Sequence, residues 1–223
     1  MTSHPRRPAA VLAVVAALAS LFSPLSAHPA GAQTAPPGLI PEGHWVQPQI
    51  DWMVDKIAET EAVLPQRFPT SYDDGGTALE AMGYMNFGAT APGGYDHWIQ
   101  RAWIVDGHIL NPNFPESLIY QQTGNGVWEL KAAMFMLVPE WDVPDIPPLI
   151  SWIPGWHGHP ELCVDAGGRF AGITDPDAPN CPPGTTSAMT PVMTHIWLED
   201  PGCGHRFGGV GVGGLHCDVG HEM

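Results

Sequence analysis

Apolar and polar residues alternate with two different periods along this chain, and the change of period separates a helical part from a strand-rich part. From residue 50 the apolar residues recur every three or four positions, which predicts one amphipathic helix that Pro65 ends. Thr77 and Glu80 have the spacing of a capping box, so a second, shorter helix is predicted to begin at Thr77. The apolar stripe of the first helix consists of Ile50, Met53, Val54, Ile57 and Leu64.

After the second helix the apolar residues recur at every second position, which is the period of a half-buried strand. Residues 116–122 and 127–138 flank Gly124-Asn125-Gly126, and this predicts a hairpin because Asn and Gly tolerate the positive φ of tight turns. Residues 97–105 and 193–199 predict a first and a final strand. In the second arm of the hairpin we expect one apolar face to enter the core: Trp128, Leu130, Ala132, Met134, Met136 and Val138.

The composition favours short strands joined by many turns over long helices. Gly (26) and Pro (25) are both abundant, whereas only 14% of the residues are charged. We therefore predict a mainly β (α+β) fold: an antiparallel β-sandwich or barrel with one or two N-terminal helices. The nine Trp residues are expected to fill its core rather than to line a binding groove.

Residues 1–32 are predicted to be a cleaved signal peptide, because Arg6 and Arg7 precede a short apolar run and an Ala30-Gly31-Ala32 cleavage site. Residues 33–49 are expected to form an irregular lead-in and residues 50–223 a single domain with a glycine-rich C-terminal tail. No later segment has the roughly 20 apolar residues of a membrane span. The mature chain is therefore predicted to be secreted or periplasmic.

The charge of the chain restricts its partners. Its formal net charge is −15 at pH 7, so it would repel phosphate backbones and anionic lipids, and nucleic acid is excluded as a partner. Metal ions and small molecules are favoured. An acidic surface that serves only solubility is the alternative.

The four cysteines of an exported chain predict disulfides. Three pairings are possible, and the expected one joins sequence neighbours, Cys163 with Cys181 and Cys203 with Cys217. In the rival interpretation Cys203 or Cys217 binds metal as a thiolate beside a nearby histidine.

The segment 156–163, WHGHPELC, carries the clearest candidate for a binding site. If it is extended, its two histidines, His157 and His159, point to the same side and can hold one ion. We expect His195 on a further strand to supply a third ligand, with His97 or Glu116 completing the set. Imidazoles with one carboxylate suit copper or zinc, and nearby pairs of methionines favour copper. The competing interpretation makes these histidines ordinary packing residues.

Four further segments, 94–98 (GYDHW), 105–112 (VDGHILNP), 115–120 (PESLIY) and 194–197 (THIW), occur in an order that resembles a group of uncharacterised exported bacterial proteins. Proteins of that group have segments of the kinds G-x-H-Y, D-G-x-L-D-P, P-E-x-L-x-Y and L-H-V-W. The resemblance covers residues 77–200 and implies that His97, Glu116 and His195 occupy motif positions. It departs at Asn111, where the group tends to have Asp, and in the tail after Cys203.

The His-x-His pair also resembles the first motif of cupin barrels, although no histidine follows Pro183-Gly184 as their second motif requires. Three functions remain open at this point. The first is an exported, non-catalytic protein that binds one copper or zinc ion. The second is a cupin-like metalloenzyme of unknown substrate, and the third is a metal-free binding domain stabilised by disulfides.

Overall fold

The protein is described here from a computed structural model that covers residues 45–73, 75–89, 94–138, 146, 149–174, 180–211 and 214–216. The predicted signal peptide and most of the predicted lead-in lie outside these ranges. Within them, no helix has the length and apolar character needed to cross a membrane.

Two helices precede most of the strands. Helix α1 spans Gln47–Arg67 and buries Met53, Ile57 and Leu64, three residues of the predicted stripe. The prediction that Pro65 ends this helix is wrong by two residues: the proline lies in the last turn, and the backbone N–H of Phe68 still bonds to Leu64. Helix α2, Thr77–Ala81, begins where predicted, but Gly76 rather than Thr77 occupies its N-cap position, with φ 82°.

The strands form two antiparallel sheets, which confirms the predicted mainly β class with N-terminal helices. The strands are β1 Ser71–Tyr72, β2 Met85–Ala89, β3 Tyr95–Ile99, β4 Ser117–Gln122, β5 Trp128–Met136, β6 Leu162–Val164, β7 Phe170–Ile173, β8 Thr186–Ala188, β9 Met193–Trp197, β10 Phe207–Gly211 and β11 Gly214–His216. In the described part of the chain the larger sheet has eight strands in the order β11-β10-β9-β5-β4-β3-β2, with β1 beside β5. The smaller sheet has the order β7-β6-β8.

The predicted hairpin is present as β4 and β5, whereas the two outer strands differ from their predictions. The strand predicted for residues 97–105 ends at Ile99, because residues 101–105 form turns. The strand at residues 193–199 is not the last, since the glycine-rich tail continues as β10 and β11. These two strands pair through backbone hydrogen bonds. Glycine has no side chain that could show the period of a strand, so the sequence pattern did not predict them.

A bulge divides the predicted apolar face of β5 between two cores. Ile119 pairs with Ala132 but Tyr120 pairs with Leu130, which leaves Lys131 as an extra residue on β5. Leu130 consequently belongs to the large core beneath α1. Ala132, Met134 and Met136 belong to a second cluster, with Tyr95, Ile119, Met193 and Trp197. Both faces of the central strand are therefore buried.

One predicted disulfide, Cys163–Cys181, is confirmed; it joins β6 to the segment that leads into β8. Cys203 is also disulfide-bonded, which contradicts its role as a metal-binding thiolate, and Cys217 lies outside the described residues. The segment 156–163 is not one continuous strand. His157 makes an isolated bridge with Met193, and a turn at residues 160–161 separates this bridge from β6. Pro160 lacks the N–H that a continuing ladder would use.

Candidate functional site

Four histidines from three separate segments meet on the face of the large sheet that lies opposite α1. His97 is on β3, His195 is on β9, and His157 and His159 lie in the connection before β6. The ring centres are 5.1 Å apart for His157 and His159, 5.3 Å for His157 and His195, and 6.5 Å for His97 and His195. All four predicted imidazoles are therefore brought together.

Main-chain hydrogen bonds place the two histidines of the connection beside β9. The backbone N–H of His157 donates to the carbonyl of Met193 over 2.9 Å, and the N–H of Met193 donates back over 2.8 Å. The N–H of His159 donates to Oγ1 of Thr190 over 2.8 Å. Gly155 allows this approach, because a Cβ there would lie 3.0 Å from the Cα of Gly208 on β10.

Curvature of the large sheet brings His97 near His195. Their strands are separated by β4 and β5, so on a flat sheet the two backbones would be about 14 Å apart, given a strand spacing of about 4.8 Å. The ring centres are nevertheless only 6.5 Å apart. The sheet must therefore curl around this face, with the two side chains leaning inward.

Three of the rings are oriented through Nδ1. This atom lies 3.2 Å from the Tyr95 carbonyl in His97, 2.7 Å from the Gly155 carbonyl in His157, and 2.8 Å from Oε1 of Glu161 in His159. A carbonyl oxygen can only accept, so Nδ1 donates in the first two cases and Nε2 of the neutral ring retains its lone pair. Metal-binding histidines in proteins are commonly held in this way.

His195 is the least satisfied polar side chain of the cluster. It is 1% exposed, and neither of its ring nitrogens makes a hydrogen bond. Burial lowers the pKa of His195 well below 6.5, and the neighbouring histidines act in the same direction. The Gly208 backbone lies close to the ring and opposes this shift, but its contact with the ring falls short of hydrogen-bond geometry. A buried polar group without a hydrogen bond costs about 1–3 kcal/mol, a cost that a ligand bound to the ring would offset.

Burial also lowers the pKa of His97 to about 4, with the charges of His159 and His157 acting in the same direction. Both strand histidines are therefore neutral at pH 7. Neutral imidazole is the form that binds a metal ion.

The histidines border a cavity of about 250 Å³ between the large and the small sheet. His97, His159 and His195 line it, together with Met134, Met136 and Met193. Apolar residues from both sheets and from the turn after β3 form much of the remaining wall: Phe87, Ile99, Ile104, Leu162 and Val164. Arg101, which is exposed, contributes a cationic group to the same lining.

The fifth predicted ligand, Glu116, is not brought to the histidines. It does not line the cavity, and its Oε2 accepts a hydrogen bond from the Met136 backbone over 3.3 Å. Its side chain is 2% exposed, and burial raises its pKa well above the ordinary value.

In the residues that the structure describes, no group of three or more His, Cys, Asp or Glu side chains is arranged to hold a metal ion. The four imidazoles are thus close to one another but do not surround a common point with their nitrogens. Any shared ion requires the rings to rotate.

The sequence did not indicate the cavity itself or the place of Arg101 in its wall, because an arginine after a strand has no distinguishing pattern.

Scans of this chain against protein-family models, curated proteins and solved structures find no match.

Proposed function

We propose that this chain is an exported, non-catalytic protein that binds one copper or zinc ion through the imidazoles of His97, His157, His159 and His195. The observation that carries the proposal is His195, a fully buried imidazole without a hydrogen bond that lies among three others. Without a ligand, the desolvated ring nitrogens of His195 leave a cost of about 1–3 kcal/mol that no hydrogen bond offsets.

The ring separations support a shared ion. Two imidazoles on one tetrahedral ion, with bonds of about 2.1 Å, have ring centres roughly 5 Å apart. The separations of 5.1 Å between His157 and His159 and 5.3 Å between His157 and His195 match this value. His97, at 6.5 Å from His195, must move inward by about 1 Å to join them. The adjoining cavity provides space for the rings to rotate.

The surroundings favour copper over zinc. Imidazole binds both ions, whereas thioether sulfur is a soft ligand that favours Cu(I). Met134 lies directly opposite His195 across the β5–β9 ladder, and Met136 lies opposite Met193. All three methionines line the cavity. An ion held by the histidines would therefore have sulfur atoms close by.

The disulfide Cys163–Cys181 supports export, because such bonds persist in oxidising compartments. The predicted signal peptide at residues 1–32 agrees with this location.

Metal titration of the purified protein tests the proposal. We expect one equivalent of Cu(II) or Zn(II) to bind and to raise the melting temperature, and we expect the double substitution His157→Ala and His159→Ala to weaken binding at least tenfold. The matched control is His108→Ala, which removes an exposed histidine outside the cavity. The proposal fails if neither ion binds, or if the control weakens binding as much as the double substitution.

The cavity favours a second candidate, a cupin-like metalloenzyme in which the same ion keeps a coordination position open for a small molecule. A closed four-histidine shell would oppose this candidate. Spectroscopy of the Cu(II)-loaded protein distinguishes the two, because an open position binds added azide and changes the spectrum, whereas a closed shell does not.

A further inference from the structure

We infer that the cavity binds a small monocarboxylate with an apolar body, and that Arg101 holds its carboxylate. The inference rests on the proposed function in that it places the ligand in the same cavity as the ion. It adds the class of molecule that enters.

Arg101 is a cation for which the described residues supply no partner. In the described part of the chain its guanidinium makes no hydrogen bond and no ion pair, and the chain as a whole has only eight Lys and Arg against 23 Asp and Glu. Three other cationic side chains are paired with carboxylates: Lys56 with Glu59, Lys131 with Glu129 and Arg206 with Glu61. An unpaired guanidinium in so acidic a chain is available to an anion from solution.

Arg101 lies where the two sheets that form the cavity walls approach each other. The residue follows β3 of the large sheet, and its guanidinium lies against Gly168 in the turn between β6 and β7 of the small sheet. A Cβ at Gly168 would lie only 2.4 Å from Nη2 of Arg101. Glycine at this position therefore leaves the room that the guanidinium occupies.

The interior of the cavity fits an apolar body. Ile99 and Ile104 from one side and Leu162 and Val164 from the other line it. Its volume is about 250 Å³, and a cavity of roughly 150 Å³ is enough for benzene. One substituted ring or a branched chain of similar size therefore fits.

Two polar side chains of the described lining make no hydrogen bond, whereas the other two histidines, His97 and His159, do. The exposed guanidinium of Arg101 presents parallel N–H donors that match a carboxylate in a bidentate pair. The buried imidazole of His195, without a hydrogen bond, marks the end where the proposed ion lies. A carboxylate at Arg101 with an apolar body directed inward satisfies both the charge and the walls.

The test compares a carboxylate with its neutral amide. We would measure the affinities of 3-phenylpropanoate and 3-phenylpropanamide by calorimetry, for the metal-free and the zinc-loaded protein. A charge-assisted pair with arginine predicts that the acid binds at least about tenfold more tightly than the amide. Arg101→Gln should remove this preference. The control is Arg169→Gln, which makes the same change of charge at the residue after Gly168 but outside the cavity lining, so it should keep the preference.

Equal affinities of acid and amide for the unsubstituted protein would overturn the inference, and that comparison does not depend on any variant folding. It would also be overturned if Arg101→Gln kept the preference, or if inorganic phosphate displaced the acid at similar concentration. The metal proposal fails separately. If zinc does not bind but the metal-free protein prefers the acid through Arg101, only the metal proposal is lost; if zinc binds and the preference is absent, only the present inference is lost.

Discussion

The rings of His157 and His195 lie nearly parallel, 15° apart, with their centres separated by 5.3 Å. His157 reaches this position because its backbone pairs with Met193, two residues before His195 on the same strand. The contact between the two imidazoles is therefore set by main-chain hydrogen bonds. Side-chain substitutions can change the chemistry of the site without moving its backbone.

The buried imidazole of His195 makes the metal-free protein less stable than it need be. We expect His195→Leu to raise the free energy of unfolding in the presence of a chelator by about 1–2 kcal/mol, because leucine has no polar atoms to desolvate. The same substitution should abolish metal binding. Urea denaturation with and without zinc measures both effects.

A lower stability of the chelated variant would contradict this prediction, since it would mean that the imidazole contributes favourable contacts without a ligand. His108→Leu serves as the control. This histidine is exposed, so its replacement should leave the metal response unchanged.

Glu116 should make stability depend on pH. Burial raises its pKa well above 4.5, so above pH 4.5 the unfolded chain loses the proton while the folded chain keeps it. Folding then takes up a proton, and stability falls as pH rises towards the raised pKa, by at most about 1.4 kcal/mol per pH unit. Glu116→Gln keeps an oxygen for the Met136 N–H but does not titrate, so it should gain stability over the unsubstituted protein from pH 4.5 to 7.5.

Denaturation series at pH 4.5, 6.0 and 7.5 measure this difference. The control Glu199→Gln removes the same charge from an exposed position and should show no comparable trend. A constant difference between Glu116→Gln and the unsubstituted protein across the three pH values would contradict the burial argument.

The disulfide Cys163–Cys181 should stabilise the small sheet, which forms one wall of the cavity. The two cysteines are 18 residues apart in sequence. Replacing both by serine should lower the free energy of unfolding by about 3 kcal/mol in the chain-entropy account. We also expect weaker metal binding, because β6 begins at Leu162, only three residues after His159. Chemical denaturation and metal titration of the double variant test this. Loss of stability with unchanged metal affinity would show that the wall does not hold the histidines in place.

The methionines should distinguish Cu(I) from zinc. Met136→Leu preserves volume and removes one sulfur, so we expect Cu(I) affinity to fall while Zn(II) affinity stays within about twofold. Competition with a chromophoric Cu(I) chelator measures the first and calorimetry the second. Met53→Leu, in the core beneath α1, is the control. Equal effects of the two leucine substitutions on Cu(I) affinity would mean that the Met136 sulfur contributes only to packing and does not bind the ion.

Local patterns predicted those parts of the fold that local chemistry determines. The stripe of α1 and the hairpin around Gly124-Asn125-Gly126 are in this class, and so is the pairing of Cys163 with Cys181. The small sheet was not predicted, because strands of three or four residues carry too few positions to show a period. The division of the β5 face also escaped prediction, because one bulged residue, Lys131, reverses the alternation without leaving a sequence signal.

The candidate site followed the same division. Residue type and spacing identified His157 and His159, and a strand position identified His195 and His97. The same reasoning also selected Glu116, which follows the alternation of β4 to the side away from the cavity; Ser117 and Ile119, at odd positions, pair with Met134 and Ala132 of the cavity-side cluster. Arg101 was missed because its place in the cavity wall depends on the sheet opposite, which no local pattern describes.

A single strand, β5, separates the core beneath α1 from the cavity. Phe135 fills the core beneath α1, while Met134 and Met136 on either side of it face the cavity. A single-residue insertion after Lys131 would exchange these roles, sending the aromatic ring into the chamber and the sulfur atoms into the tightly filled core. Point substitutions can thus alter the chamber gradually, but changes of length in this strand would remove the chamber and the core together.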